Sequence, residues 1–370
     1  MLNLNLGHES DEALIVRTAW LYYMDGLTQE ATAKRLGLPR TRVVRLLSEA
    51  RNRGLVSITI QQDSIRDLEI EAELARQYGL DFCLATPPTG LPRRERDAAL
   101  VEAQGLLARR AVGSLAANLL KGKLLGGHPL TVGVSWGRTL EQMALHLGGV
   151  RNPKAQFVSL MGSLTRNSAS NPFEVVQALA ARTGGEGHFL PVPFVADTEA
   201  DREVLMSQRS VDDALTLACS ADLYLISVGE LAETASLRQQ EMISAAELAS
   251  VRAMGAVCDA LGLFFNSNGQ PVQHEVARRT LAIDLERLRG RDVVLLAAGI
   301  PKTEAINGLL RTGLVKGLVI DGDAARLLIN RVQPAAGNGR SSRRGGPSDL
   351  STTSAPVAPR TPRGTPPRRA

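Results

Sequence analysis

The stretch VVLLAAGIPKTEAINGLLRTGLVKGLVIDGDAARLL, Val293 to Leu328, carries the fold class in miniature. It opens on a continuous apolar run, turns at Gly299, and goes on from Lys302 as a helical segment. KGLVIDG then repeats the short apolar run, and AARLLI starts another helical segment. A run that is apolar at every position suits a strand buried on both faces, and a helix between two such strands is the crossover of a parallel pair. The alternation extends back along the chain. DFCLAT, TVGVS, AQFVSLMG, GHFLPV and DLYLISVG are apolar runs, with helical segments such as PFEVVQALAART and SVDDALTLACS between them. The fold class that follows is α/β, with a largely parallel sheet covered on both faces. Asn266-Ser-Asn-Gly-Gln270 reads as a hairpin turn with Asn268-Gly269 at its tip, so at least one antiparallel excursion decorates the sheet.

Ahead of this region, residues 12–60 read as a compact helical module. EALIVRTAWLYYMDG sets Leu14, Ala19, Leu21 and Tyr22 at helical spacing, and Asp25-Gly26 ends the helix. Thr28 caps a second helix reaching Leu36, Gly37 supplies a turn, Leu38 plugs the corner, and Pro39 opens a third helix that runs to about Asn52. Leu55 to Ile60 alternates apolar and polar and is expected to close the unit as a short strand. Laid out at 100° per residue, Val43, Leu46, Leu47 and Ala50 share the inner face of the third helix. Thr41, Arg45, Ser48 and Asn52 point outward, flanked by Arg42. Such a face offers forked and hydroxyl donors for base edges and phosphates in a major groove, with the preceding helix bracing it against the backbone. The candidate contacts to double-stranded DNA are Thr28, Gln29, Arg40, Thr41, Arg42, Arg45, Ser48 and Arg51.

Charge supports a local rather than a general basic surface. The chain of 370 residues carries a net +5, yet residues 331–370 alone hold eight arginines against Asp349, so the remainder is slightly acidic. Residues 10–60 have eight Lys and Arg against five Asp and Glu, and the third helix concentrates that excess. The last forty residues, rich in Pro, Gly, Ser and Arg with almost nothing apolar to bury, are expected to be a disordered basic tail. Three units follow: 1–60 for DNA, 61–330 for the α/β domain, and 331–370 for the tail. No apolar run is long enough to span a bilayer and the N-terminus has no export-signal pattern. Cys83, Cys219 and Cys258 are far apart within apolar segments and read as reduced thiols of a cytoplasmic protein.

In parallel sheets, ligands sit beyond the carboxyl ends of the strands. Four of these ends carry small or cationic residues: Ser135-Trp-Gly137-Arg138-Thr139, Gly162-Ser163, Gly229-Glu230, and Gly299 with Lys302. Free amides at a helix start beside a hydroxyl and a guanidinium make a phosphate seat. Together these ends suggest a polar pocket for a small anion such as a sugar phosphate. Gly133-Val-Ser135-Trp-Gly137 also matches the nucleophile elbow of serine hydrolases, which permits a triad of Ser135, Asp259 and His274 on paper. Against it, His274 follows a decorating hairpin and no oxyanion motif precedes the serine. The five histidines show no metal-ligand spacing, so neither a metal, a cofactor nor a catalytic cluster is expected.

Three segments resemble the SorC-type sugar-binding transcriptional regulators, a branch of the DeoR-like bacterial regulators. They are VRTAWLYYMDGLTQEATAKRLGLPRTRVVRLLSEARNRGLVSITI, GAVCDALGLFFNSNGQPV, and the Val293–Leu328 stretch itself. The resemblance implies an effector domain with the fold of sugar-phosphate isomerases and deaminases, a phosphorylated sugar as ligand, and a homodimer or homotetramer on DNA, most often as a repressor. By motif, it implies that Ser135, Gly137, Arg138 and Thr139 hold a phosphate, that Lys302 reaches an anionic group, and that Asp259 faces sugar hydroxyls. An α/β domain that had kept isomerase or deaminase chemistry is the alternative.

Overall fold

The computed structural model describes residues 11–56, 65–90, 98–163 and 171–332. Three short helices come first: α1 (Asp11–Tyr23), α2 (Gln29–Leu36) and α3 (Arg40–Asn52). Their boundaries follow from local chemistry. The Thr28 hydroxyl accepts from the Ala31 amide, a cap that stabilises a helix by about 1 kcal/mol. Gly37 stands in the left-handed region at φ 66°, where a β-carbon would be strained. Pro39 is the N-cap residue of α3, and Val43, Leu46, Leu47 and Ala50 are buried along one stripe. Leu38 packs against both small apolar clusters of this unit, one shared with α1 and one with α2. Leu55 and Val56 lie outside any strand, and the rest of the expected closing strand, 57–60, lies outside the described residues, as does the tail after 332.

α4 (Ile65–Tyr78) leads into the first of seven parallel strands. These are β1 (Phe82–Ala85), β2 (Leu130–Val134), β3 (Ala155–Ser163), β4 (Glu186–Pro193), β5 (Leu223–Ile226), β10 (Val293–Ala297) and β11 (Gly317–Ile320), in the order β1-β11-β10-β5-β2-β3-β4. Alternate residues feed opposite cores. Val293, Leu295 and Ala297 join one apolar cluster, with Tyr224, Ile226, Leu318 and Ile320. Val294 and Leu296 join the other, with Val132, Val134, Leu225 and Val319. Two buried faces are why the central strands β10 and β11 are apolar at every position.

Helices cover the sheet: α5 (Ala98–Leu124), α6 (Arg138–His146), α7 (Pro172–Thr183), α8 (Glu199–Met206), α9 (Arg209–Cys219), α10 (Ser236–Gln239), α11 (Ala245–Ala253), α12 (Glu275–Arg279), α13 (Thr303–Leu310) and α14 (Gly322–Val332). Among the described residues no helix is long and apolar enough to cross a membrane. The expected hairpin is present, with Gly269 at φ 77°, but it belongs to more than an excursion. β6 (Gly229–Glu230), β7 (Ala256–Ala260), β8 (Leu263–Asn266) and β9 (Pro271–Val272) form a separate antiparallel sheet of four strands. Cys83 and Cys258 are buried free thiols and Cys219 is half-buried.

Candidate functional site

β2 and β5 are neighbours whose onward connections diverge. The chain passes from β2 to β3 on one side of the sheet, whereas β10 lies on the other side of β5. The loops leaving two such strands part and open a crevice beyond their carboxyl ends. Here the loops are stitched together at their roots. The Ser227 amide donates to Ser135 Oγ at 3.1 Å, and Ser227 Oγ donates to the Trp136 carbonyl at 2.5 Å. Gly137 has φ 143°, and a β-carbon there would lie 2.8 Å from Ser227 Oγ, so glycine is what lets the two loops close up. Gly137 is also the N-cap of α6, and no side chain caps that end, a helix start of the kind that can take an anion.

The second sheet supplies the facing wall. Gly229 pairs with Asp259 and Glu230 with Cys258 in the β6–β7 register, which brings two carboxylates to the crevice. Lys302 arrives from the turn before α13 and donates to the Val228 carbonyl at 2.8 Å. It lies 3.2 Å from Glu230, and Arg138 lies 3.9 Å from the other oxygen of that carboxylate. The lining comprises the loop Ser135–Arg138, the segment Ser227–Glu230, Ser236 and Leu237 of α10, Asp259, Leu261 and Lys302.

Asp259 is 3% exposed, and among the described residues its Oδ1 has no hydrogen-bond partner. Burial pushes its carboxyl up to about 7, with Lys302 opposing and Glu230 adding to the shift. Burial also pulls Glu230 upward, but Lys302, its own amide and Arg138 outweigh burial and hold it below the usual carboxylate range. A neutral or half-charged acid beside two cations and an uncapped helix start can donate to or accept from hydroxyl groups while the cations take an anion.

Of the effector residues expected from sequence, Ser135, Gly137, Arg138, Asp259 and Lys302 come together here. Thr139, Gly162, Ser163 and Gly299 do not line the crevice. Thr139 lies on the buried face of α6, and the Gly162 amide and Ser163 carbonyl bond to Leu281 and Phe194. The Gly299 amide donates to the buried Asp321 carboxylate at 2.7 Å, where it shapes the turn that carries Lys302. Sequence reading did not single out Trp136, Ser227, Val228, Ser236, Leu237 and Leu261 as lining residues, and named Glu230 only as part of a strand end. Trp136 and Ser227 stand beside motif residues; a role for the Glu230 carboxylate had no signal, because a carboxylate is not what an anion pocket leads one to seek.

The paper triad is not assembled. Ser135 Oγ points to the Trp136 carbonyl at 3.4 Å and accepts from Ser227, whereas both ring nitrogens of His274 are engaged elsewhere. Nε2 meets Ser250 Oγ at 3.2 Å and Nδ1 accepts from Val276 at the start of α12.

On α3, Arg40, Thr41, Arg42, Arg45 and Arg51 are exposed and Ser48 is half-buried, so the arginine face is turned outward as its periodicity requires. Thr28 and Gln29 stand at the head of α2, with Gln29 Oε1 3.5 Å from Arg40 Nη2.

Residues 62–330 match the Sugar-bind family, a sugar-binding domain. The erythritol catabolism regulatory protein EryD of Brucella abortus is 36% identical over 323 residues, covering 87% of this chain and 98% of its own. This chain belongs to the SorC-type sugar-binding transcriptional regulators. The transcriptional regulator LsrR of Klebsiella pneumoniae is 29% identical, with 86% of this chain and 94% of its own length covered. The full-length sorbitol operon regulator SorC from Klebsiella pneumoniae superposes with a TM-score of 0.62 at 25% identity, over 86% of this chain and all of that one. As a SorC-type regulator the chain has its sugar-binding domain on the seven-stranded sheet, with the crevice at the β2–β5 switch point.

Proposed function

We propose that this SorC-type regulator binds operator DNA through α2 and α3 and responds to a phosphorylated sugar or polyol held in the crevice. The observation that carries the effector half is the meeting, at one switch point, of the uncapped start of α6, Arg138, Lys302 and Asp259. Amides and cations at a helix start suit a phosphate. The buried acid suits the hydroxyls of the carbon chain. EryD is named for erythritol catabolism, so a linear four-carbon polyol phosphate is the first compound to try.

The DNA half rests on the outward arginine face of α3 and the turn at Gly37, which set a recognition helix against a bracing helix. A symmetric operator calls for a homodimer or homotetramer, working in the cytoplasm, and repression is the sense proposed. The ligand acts by binding one arrangement of the paired helices better than another. Ser135, whose Oγ is engaged with the Trp136 carbonyl and the Ser227 amide while His274 is engaged elsewhere, serves as a structural hydroxyl rather than a nucleophile.

Footprinting on the chain's own promoter region, with and without erythritol 4-phosphate and a panel of sugar phosphates, tests the whole reading. A protected two-fold site that one compound releases is expected. No preference for any promoter fragment over random duplex refutes it. An organophosphorus probe that labelled Ser135 would instead favour the hydrolase alternative.

A further inference from the structure

The two cations of the crevice already have an anion. Glu230 sets Oε2 3.2 Å from Lys302 Nζ and Oε1 3.9 Å from Arg138 Nη2, with its side chain only 17% exposed. A phosphate seat does not require a carboxylate, and burying one beside it carries a desolvation cost. The strand geometry nonetheless commits Glu230 to this position: its backbone is held in register with Cys258, so only the side chain is free to swing. Lys302 has a second anchor in the Val228 carbonyl and keeps its place if the carboxylate leaves.

We propose that Glu230 is the resident counter-anion of the crevice, occupying Lys302 and Arg138 until the phosphate of an effector displaces it. This rests on the effector reading above and adds a specificity rule to it. A neutral sugar meets cations that are already paired and gains nothing from them. A phosphate monoester carries more charge than one carboxylate and three acceptor oxygens, and so outcompetes Glu230 for both cations. The displaced side chain can then hydrogen-bond a hydroxyl of the bound molecule. Glu230 thereby lowers affinity for small anions in general and reserves the site for ligands that bring both a phosphate and hydroxyls.

Calorimetric titration of the full chain and of Glu230→Gln with inorganic phosphate and with erythritol 4-phosphate tests this. Removing the competitor is expected to tighten inorganic phosphate binding at least tenfold, a gain that a merely structural role for Glu230 would not produce. If Gln is not tolerated, as judged by thermal unfolding, Glu230→Ser takes its place with the same expectation. Equal or weaker phosphate binding in a folded variant, while the unmutated chain binds erythritol 4-phosphate or another sugar phosphate of the panel, overturns the role of Glu230 alone. Absence of binding by either protein to phosphate, erythritol 4-phosphate and the rest of the panel overturns the effector reading and this proposal together.

Discussion

Gly54 and Gly148 meet backbone to backbone: a β-carbon on Gly148 would collide with the Gly54 carbonyl. Arg182 clamps the same place, its guanidinium donating to the carbonyls of Asn52 and Leu147. Gly54 follows α3, and Gly148 follows α6, whose other end carries Arg138 into the crevice. One helix of nine residues therefore touches the crevice at its start and the arginine helix beyond its end.

Gly148→Ala is accordingly expected to cost about 1–3 kcal/mol, the usual range for forcing atoms into a filled site. Amide exchange in α3 should rise, and the effect of an effector on operator affinity should shrink. Gly122→Ala in α5, where a β-carbon meets open space, is the control and should be neutral or stabilising by up to about 1 kcal/mol. Equal loss in both variants would remove the junction as the cause.

Arg45→Ala and Arg51→Ala should behave differently. Arg45 lies on the outward centre of α3 and is expected to contribute about 1–3 kcal/mol of discrimination between operator and mutant operators. Arg51, near the helix end, should lower affinity evenly across sequences and reduce the salt slope by about one. Binding curves on operator and scrambled duplex at several salt concentrations separate the two.

Lys302→Ala removes a cation from the crevice without touching α3. The effector's release of DNA should be lost and basal operator affinity kept. A thermal-shift assay gives the same answer independently, since a ligand at 100 times its dissociation constant stabilises by roughly 2.7 kcal/mol and the variant should show no such shift.

Asp259 links the crevice to pH. Its carboxyl titrates near 7 in the folded chain against 3.8 for the ordinary group, so the native state holds the proton more tightly than the unfolded chain. Its contribution to stability therefore declines as pH rises from about 4 to about 7, and the cost of the buried charge is complete above 7. Asp259→Asn should stabilise the ligand-free protein at pH 8 by on the order of 2 kcal/mol and by much less at pH 5. Denaturant unfolding at the two pH values measures it, and a pH-independent difference would contradict the assignment.

Two kinds of information were legible at different depths. Short fully apolar runs bounded by Gly and alternating with helical segments fit strands with two buried faces, so the parallel sheet was readable from stretches such as Val293–Ala297 and Gly317–Ile320. Thr28, Gly37 and Pro39 act within a few residues of themselves, through a cap, a left-handed φ and a missing amide hydrogen, so α2 and α3 were readable too. The helices α8 and α11 were not read, although their starts carry local caps at Thr198 and Ser244, and the extent of the second sheet depends on long-range strand pairing.

The strand ends were likewise visible one by one, but their assembly was not. Which ends face each other depends on the order β1-β11-β10-β5-β2-β3-β4, a product of long-range pairing that no local spacing encodes. That order gathered Ser135, Arg138 and Lys302 and left Ser163 and Gly299 outside. The β6–β7 pairing of the second sheet brought Glu230 to two cations and Asp259 into the interior, without a partner for Oδ1 among the described residues. Charge, hydrogen-bonding groups and helix starts are properties of residues and are written in the chain. Electrostatic coupling falls off with distance, and only the folded sheet brings those groups within reach of one another.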